Sequence, residues 1–521
     1  MTAPSRPSDS VACNTLSRPT RRSALAILAR GAACAGLYGC APAIISSDDT
    51  APHLEFRLKF SASVRQEPFT GRVYVFLAPG NPQPLSDGEN WFNPQPLLAK
   101  DVVDLRPGEE VILSPDDVDT LRDPFDWSTV DCRGYTAQSL MRFNPWGRKV
   151  TSGAGNAFSP AVVVQENEPP TVLTCDTLLA DSPVMESREC RLFSVPSTLL
   201  SEFYGRDVDV QGMVLVPAGY FEHPERRYPV LFSVPGFGGS AADAFRRSPL
   251  RESNTLGVEF IRVTLDPSCP LGHHAFVDSA NNGPWGTALV QEFLPALAAE
   301  YRTIDAPRGR LLTGHSSGGW SSLWLQVNWP DVFGGVWSLA PDPVDFRDFQ
   351  QINIYRPGEN MYVDPQGQRR PLARAADRVL LWYDSFCHRE DVLGPGGQLH
   401  SFEACFSPHG EDGSPQRLWN RETGDIDPAV AAAWTAFDIR LVLQDRWNQL
   451  APKLAGKLRI HMGTLDTFYL DGATVLLKEA LRELGSDAVV ELHAGADHGS
   501  FLTREMRERV AQEMAETVQS G

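Results

Sequence analysis

The 521-residue sequence predicts an α/β fold with a mainly parallel, doubly wound sheet, preceded by a smaller all-β region. From about residue 188 onward, short apolar runs typical of buried strands alternate with helical stretches. Before that point, apolar and polar residues alternate between prolines and glycines, which is typical of half-buried strands. A chain of this length is long enough for two or three domains and for a large core.

The β-rich region is expected to occupy residues 40–172. It contains HLEFRLKFSASVR at residues 53–65 and then GRVYVFLAPG, both with the alternation of a strand. We expect a small β-sandwich of immunoglobulin-like type. We interpret its Trp91, Trp127 and Trp146 as packing residues rather than as a sugar-binding platform.

Residues 173–521 carry the strand–helix alternation. The runs VLFSV, RLLT, GGVWSLA, KLRIHM and AVVELH read as strands, and WSSLWLQVNW reads as a helix. Residues 341–456 interrupt this rhythm with a long, loop-rich insertion. An excursion of this length at the carboxyl end of a strand favours a lid or a pocket wall.

Residues 1–39 have the layout of an export signal. The pair Arg21-Arg22 precedes a weakly apolar stretch that ends in small residues, an arrangement typical of the twin-arginine route. The stretch closes on a lipoprotein-like box in which Cys40 would carry the lipid; simple cleavage after a small residue is the alternative. We therefore expect a protein of the periplasm or cell envelope, attached to a membrane only through Cys40.

The charge of the chain argues against nucleic-acid binding. Without residues 1–39 the chain has 42 basic and 64 acidic side chains, a net charge of −22, and such a surface repels phosphate backbones. No stretch reaches the length of about 20 apolar residues that a transmembrane helix needs. The sequence indicates no oligomeric state.

Cysteine usage fits an exported protein. Six cysteines follow Cys40, enough for three disulfides, and we expect the short-range pairs Cys175–Cys190 and Cys387–Cys405. No CxxC motif occurs, so zinc or redox chemistry at cysteine is not indicated. We expect no cofactor and no metal ion.

Residues 314–318, Gly-His-Ser-Ser-Gly, match G-x-S-x-G, the motif of a nucleophile elbow. The motif alone is weak, but here it follows a predicted strand and precedes a predicted helix. The tight turn would hold the Ser316 hydroxyl above the sheet. The amide of Ser317, at the start of the helix, would face a developing oxyanion.

A serine nucleophile needs a histidine base and an acid, which should follow it in the order Ser, acid, His. His498 comes directly after the last predicted strand, whereas His493 and His461 lie inside strands and are interpreted as structural. Asp466 follows the preceding strand and is the favoured acid. Asp471 and Asp342 remain alternatives.

A second oxyanion donor should come from the loop after VLFSV, which reads Pro-Gly-Phe-Gly-Gly at residues 235–239. We expect the amide of Phe237, because the surrounding glycines let the backbone approach a substrate oxygen. The loop at residues 270–286 is rich in polar side chains at a strand's carboxyl end, the pocket side of such folds. Its His274, Asn282 and Trp285 are candidate substrate contacts. The adjacent pair His273-His274 is not expected to bind metal, because neighbouring side chains point apart.

From about residue 188 the chain resembles an esterase family that includes enterochelin esterases, feruloyl esterases and S-formylglutathione hydrolases. The segments RYPVLFSVPGFGGS, GHSSGGW, MGTLDTFY and GADHGSF stand where that family has its oxyanion loop, elbow, acid and histidine. The resemblance implies an α/β-hydrolase fold and a Ser–His–Asp mechanism through Ser316, His498 and Asp466. It also implies oxyanion binding by the amides of Phe237 and Ser317. The family commonly has His-Gly where this chain has Pro235-Gly236, a change that bears on the shape of the loop.

The sequence therefore predicts an exported serine esterase that hydrolyses a small carboxylic ester through an acyl-enzyme. An acyltransferase of the same fold would use the same residues with a different acceptor. A lipoprotein that binds without catalysis is the alternative from another class. The ordered triad residues at strand ends favour catalysis.

Overall fold

The structure is a computed structural model. It describes residues 54–81, 83–164, 170–181, 184–242 and 254–520. These residues belong to one compact unit, Pro52–Gly521. The predicted export signal, with Arg21-Arg22 and Cys40, lies outside the described residues. Within the described ranges, no helix has the length and apolarity needed to span a membrane.

The first ten strands form two sheets. The smaller has the order β4-β1-β9, and the larger has the order β10-β7-β6-β2-β3-β5 with β8 paired to β6. Apolar side chains of β1, β2 and β9 share one buried cluster, as expected for strands with one apolar face. The strands are β1 Phe56–Phe60, β2 Phe69–Pro79, β3 Leu97–Leu105, β4 Val111–Leu113, β5 Leu121–Asp123, β6 Tyr135–Met141, β7 Ala157–Phe158, β8 Val162–Val163, β9 Thr171–Cys175 and β10 Thr177–Leu178.

This β region extends beyond the boundary predicted at residue 172. Strand β9 pairs in parallel with β1, and β10 pairs with β7, so the region ends at Leu178. The immunoglobulin-like topology stays a prediction.

A central sheet of eight strands follows, in the order β11-β12-β16-β13-β21-β22-β25-β26. Only β12 runs antiparallel to the other strands. This order, with one antiparallel strand next to the edge, is that of the α/β-hydrolase fold. The strands are β11 Cys190–Pro196, β12 Asp209–Leu215, β13 Val230–Val234, β16 Ile261–Leu265, β21 Arg310–His315, β22 Gly335–Leu339, β25 Leu458–Gly463 and β26 Val489–His493.

Four short hairpins complete the strands of the described ranges. They are β14 Asn254–Thr255 with β15 Val258–Glu259, β17 Ser268–Cys269 with β18 Gly272–His273, β19 Asp278–Ser279 with β20 Gly283–Pro284, and β23 Pro371–Ala375 with β24 Arg378–Trp382.

Helices cover the central sheet and build much of the insertion. The α-helices of the described residues are Thr198–Tyr204, Trp285–Ala288, Leu294–Glu300, Ser317–Asn328, Tyr383–Leu393, Gln398–Phe406, Pro428–Trp434, Ile439–Leu454, Asp471–Glu483 and Arg504–Gln519, with a π-helical turn at Leu289–Phe293. The helix Ser317–Asn328 is almost wholly buried, which its apolar and small residues permit.

The insertion predicted at residues 341–456 packs against the β region. The Tyr74 hydroxyl donates to the carbonyl of Leu393 at 2.7 Å. Arg72 Nη1 donates to the carbonyl of Asp391 at 2.7 Å, and Arg142 Nη1 donates to that of Pro395 at 3.1 Å. Arg72 thus satisfies carbonyls in the last turn of the helix Tyr383–Leu393, where helix carbonyls lack partners, and Arg142 binds a carbonyl just beyond that helix.

The two predicted disulfides are not formed. Cys175 contacts the Ser139 hydroxyl at 3.1 Å in the β region, whereas Cys190 opens a strand of the central sheet. Cys387 lies 3.3 Å from the Tyr362 hydroxyl. All six cysteines of the described residues are buried, and neither predicted pair is joined. Proximity in sequence is therefore a poor guide to pairing here.

Candidate active site

Ser316 occupies a strained turn between β21 and the helix Ser317–Asn328. Its backbone has φ 60° and ψ −127°, a conformation that side chains rarely adopt. A Cβ on Gly318 would lie 1.9 Å from the carbonyl oxygen of Val234, and one on Gly314 would lie 2.1 Å from that of Gly318. Only glycine fits at either position, so the motif reflects close backbone approach at a tight elbow.

His498 and Asp466 form a hydrogen-bonded pair. His498 Nδ1 lies 2.6 Å from Asp466 Oδ2, and the carboxylate is fully buried. The other carboxylate oxygen accepts from the amides of Phe468 at 2.8 Å and Leu470 at 3.3 Å. These amides fix the carboxylate and leave Oδ2 for the imidazole. The pair therefore holds the ring with Nε2 as its remaining reactive nitrogen.

The two alternative acids have partners other than His498. Asp471 pairs with Arg374 at 3.1 Å at the start of a helix. Asp342 is buried beside the nucleophile and accepts from the Ser316 hydroxyl at 3.4 Å. In the structure, Asp466 is thus hydrogen-bonded to His498, whereas Asp342 is hydrogen-bonded to Ser316. His461 and His493 lie inside β25 and β26, as predicted.

Asp342 is in an unusual electrostatic environment for a carboxyl group. Burial raises its pKa from 3.8 to about 6, although the nearby Ser317 hydroxyl lowers it. Its Oδ2 atom has no hydrogen-bond partner among the described residues. Burial penalises the charged carboxylate, and too few hydrogen bonds offset that penalty. Asp342 is therefore easier to protonate in the folded protein than in the unfolded chain.

The stability of the protein should therefore fall relative to an Asp342→Asn variant as pH rises. Because the pKa is raised in the folded state, the stabilising contribution of the protonated form is complete below pH 3.8 and is lost as pH rises through about 6. Between about pH 4 and pH 8 the difference in unfolding free energy should shift by about 2 kcal/mol in favour of the variant. Urea unfolding of both proteins across this range measures the shift. If the difference in unfolding free energy between the two proteins did not depend on pH, the raised pKa of Asp342 would be contradicted.

The loop at residues 235–239 lies against the nucleophile. A Cβ on Gly236 would lie 2.9 Å from the carbonyl oxygen of His315 and 3.3 Å from Ser316 Cβ. The carbonyl of Pro235 meets His273 Nε2 at 3.0 Å, which fixes the entry to the loop. The amide of Phe237 thus belongs to a loop in close contact with the elbow, as an oxyanion donor requires.

Two side chains of the β region pack on Phe237. The Trp91 ring is stacked on the Phe237 ring with centroids 5.5 Å apart. The guanidinium of Arg148 lies 5.1 Å from the centroid of the same ring, and its Nη2 donates to the carbonyl of Gly238 at 2.8 Å. The position of the loop therefore depends on residues far away in the sequence. From the sequence, Trp91 was interpreted as a packing residue. Its contact with the Phe237 loop was not predicted, because no motif or periodicity near Trp91 indicates it.

Ser316, His498 and the loop face one cavity of about 550 Å³. Six aromatic rings form much of its wall, and seven residues come from the insertion, which therefore supplies the predicted pocket wall. The aromatic residues are Trp91, Phe92, Phe237, Phe386, Phe402 and Phe468, and the insertion residues are Asp342, Gln350, Leu372, Phe386, Gln398, Leu399 and Phe402.

The predicted substrate contacts of the loop at residues 270–286 need correction. The ring of His274 is buried and stacked on that of Trp285 with centroids 3.9 Å apart. Asn282 is also buried, and its side chain lies between the thiols of Cys269 and Cys405 at 3.4 and 3.7 Å. None of the three predicted residues is among those lining the described cavity. The polar groups of His274 and Asn282 contact Asp266, Cys269 and Cys405 in the interior, which explains a polar sequence that does not line the cavity.

Several solved structures match this chain at low sequence identity. A ferulic acid esterase is 13% identical, covers 63% of this chain and 98% of its own, and has a TM-score of 0.40. An S-formylglutathione hydrolase from Agrobacterium tumefaciens is 16% identical, covers 63% and 95%, and has a TM-score of 0.37. A fluorophosphonate-binding serine hydrolase of Staphylococcus aureus is 11% identical, covers 63% and 98%, and has a TM-score of 0.38.

A search among curated proteins found no match. Residues 201–483 match the family model described as "Putative esterase". The matched range includes the elbow, the Phe237 loop and Asp466, while His498 lies beyond it. Because the match covers more than half of the chain, this protein belongs to the esterase family of α/β-hydrolases.

Proposed function

We propose that the protein is a serine carboxylic-ester hydrolase that acts through Ser316, His498 and Asp466. One observation carries the proposal. The strained elbow presents Ser316 to the same cavity as His498, whose Nδ1 is held 2.6 Å from the buried Asp466. A general base with an orienting carboxylate is the arrangement that activates a serine hydroxyl.

The first step is attack by Ser316 on the ester carbonyl. The hydroxyl turns from Asp342 towards His498 Nε2, which accepts its proton as the oxygen bonds to the carbonyl carbon. Asp466 stabilises the resulting imidazolium by accepting from Nδ1–H. The amides of Ser317 and Phe237 donate to the oxyanion, whose charge is greatest in the transition state.

The tetrahedral intermediate then collapses to an acyl-enzyme. The bond between the carbonyl carbon and the alcohol oxygen breaks, and His498 Nε2–H protonates the departing alcohol. A water molecule next loses a proton to His498 and attacks the acyl carbon. The carboxylic acid leaves, and Ser316 regains its proton.

The cavity favours an ester with an apolar, ring-sized group. Its aromatic walls offer flat surfaces on which such a group can pack, because aromatic pairs prefer stacked or edge-to-face contacts. The volume of about 550 Å³ is in the range of small-molecule sites. An aryl ester such as a nitrophenyl ester is therefore the first substrate to test.

The decisive experiment compares the wild type with Ser316→Ala in two assays. The first is covalent labelling by a fluorophosphonate, followed by mass spectrometry of the peptide that contains residue 316. The second is hydrolysis of a nitrophenyl ester. Absence of labelling in folded wild-type protein would overturn the proposal.

We further propose that the protein is exported by the twin-arginine route and anchored through lipid on Cys40. The motivation is the arginine pair at residues 21–22 and the small residues before Cys40. In fractionated cells the wild type should appear in the membrane fraction. Cys40→Ser should release it into the soluble envelope fraction, and Arg21→Lys with Arg22→Lys should retain it in the cytoplasm. Wild-type protein found in the cytoplasm would refute export.

A further inference from the structure

Three side chains that commonly bind metals lie together on neighbouring strands, outside the candidate triad. In the parallel pairing of β25 with β26, His461 is opposite Glu491, and Gly463 is opposite His493. Residues two apart on a strand point to the same face of a sheet. His461, Glu491 and His493 therefore share one face, and one ligand atom of each lies within 4.8 Å of the others.

The distances between these ligand atoms match the edges of a coordination tetrahedron. His461 Nδ1 is 3.4 Å from His493 Nε2 and 3.5 Å from Glu491 Oε2. His493 Nε2 is 4.0 Å from the same carboxylate oxygen. Tetrahedral zinc, with bonds of about 2.0 to 2.2 Å to nitrogen and oxygen, places its ligand atoms about 3.3 to 3.6 Å apart. The distances of 3.4 and 3.5 Å lie in this range. The distance of 4.0 Å between His493 Nε2 and Glu491 Oε2 would need to shorten slightly on metal binding.

We propose that His461, Glu491 and His493 form a binding site for a divalent transition-metal ion, with Zn²⁺ as the best match. Two imidazoles and one carboxylate are a donor set that zinc accepts, with a water molecule as the fourth ligand. The site is open to solvent on one side, since the side chains of Glu491 and His493 are 35% and 24% exposed. His461 is buried and lies at the inner end of the site.

Neighbouring groups orient two of the ligands. Arg509 donates to both oxygens of Glu491, with Nη1 3.0 Å from Oε1. Each carboxylate oxygen has two acceptor sites, so Oε2 can bind a metal while Arg509 remains in place. The ring of His493 is stacked on that of Phe501 with centroids 5.0 Å apart. Such contacts around the ligands are a common feature of metal sites.

The site would join the two strands that lead to the acid and base of the candidate triad. Asp466 follows β25, and His498 follows β26. The two loops are already linked, since the amide of Thr464 donates to the carbonyl of His493 at 3.0 Å. A metal ion across the strands would brace the pair formed by Asp466 and His498.

The site can be tested by isothermal titration calorimetry, in which zinc chloride is added to the metal-stripped full-length protein. We expect saturable binding of one equivalent and a rise in the thermal unfolding midpoint when zinc is present. His493→Gln should weaken binding by at least about tenfold, because a lost ligand costs at least as much as a lost contact around the ligands. Substitution of cobalt for zinc should give the visible absorption of a tetrahedral site.

His223→Gln is the matched control, since His223 lies near a single carboxylate, with Nδ1 4.0 Å from Glu225, and both side chains are exposed. This variant should bind zinc like the wild type. His493→Gln should keep the wild-type circular dichroism spectrum, because His493 is partly exposed. Absence of saturable zinc binding by folded wild-type protein would overturn the proposal. Equal affinity of the wild type and His493→Gln would also overturn it.

Discussion

Replacing Ser316 with alanine is expected to lower kcat for nitrophenyl ester hydrolysis by about 10⁶-fold, the loss typical of a removed serine nucleophile. The hydroxyl is the atom that bonds to the substrate, and the oxyanion amides alone give only residual catalysis. Fluorophosphonate labelling should disappear as well. Alanine can keep the wild-type backbone at this position, so the variant should retain the wild-type circular dichroism spectrum.

Ser317→Ala is the comparison that separates the two adjacent serines. It removes a hydroxyl but keeps the amide that is proposed to bind the oxyanion. This variant should still be labelled, with a far smaller loss of kcat. Labelling that survives in Ser316→Ala and is lost in Ser317→Ala would show that the wrong serine has been assigned.

Replacing Asp466 with asparagine is expected to lower kcat by about 10⁴-fold with little change in the fold. The carboxylate Oδ2 accepts from His498 Nδ1 at 2.6 Å, which leaves Nε2 free to take the serine proton. An amide group facing Nδ1 favours the other tautomer and cannot stabilise an imidazolium. Steady-state kinetics and the pH profile of kcat measure the effect.

Asp471→Asn provides the matched control for this prediction. Asp471 is a nearby carboxylate on the same segment, but it pairs with Arg374 rather than with a histidine. Its replacement should cost far less activity than that of Asp466. Equal losses in the two variants would mean that the segment, rather than the contact with His498, is what matters.

Local patterns predicted the central sheet and the elbow well. The strand runs before Phe237, Ser316, Asp466 and His498 all form parallel strands of the central sheet. Their apolar residues identified them, although the last run forms a partly exposed edge strand. The carboxyl ends of parallel strands meet at one edge. The residues that follow these runs were therefore predictable as neighbours without any knowledge of the loops.

The cavity wall could not be predicted in the same way. Trp91 reaches Phe237 across a separation of more than a hundred residues, and no periodicity records such a contact. Conversely, His274, Asn282 and Trp285 lie at the expected edge but pack in the interior, where His274 stacks on Trp285 and Asn282 contacts two thiols. Polar side chains in a loop need hydrogen-bond partners, and those partners can be buried groups of the protein rather than a substrate.

Because Trp91 and Arg148 pack on the Phe237 loop, we expect the proposed catalysis to depend on correct packing of the β region. A chain that lacked the β region would keep all three candidate triad residues and both oxyanion amides, but the loop would lose the groups that hold it. We therefore expect kcat to fall when the packing of the β region against the Phe237 loop is disturbed.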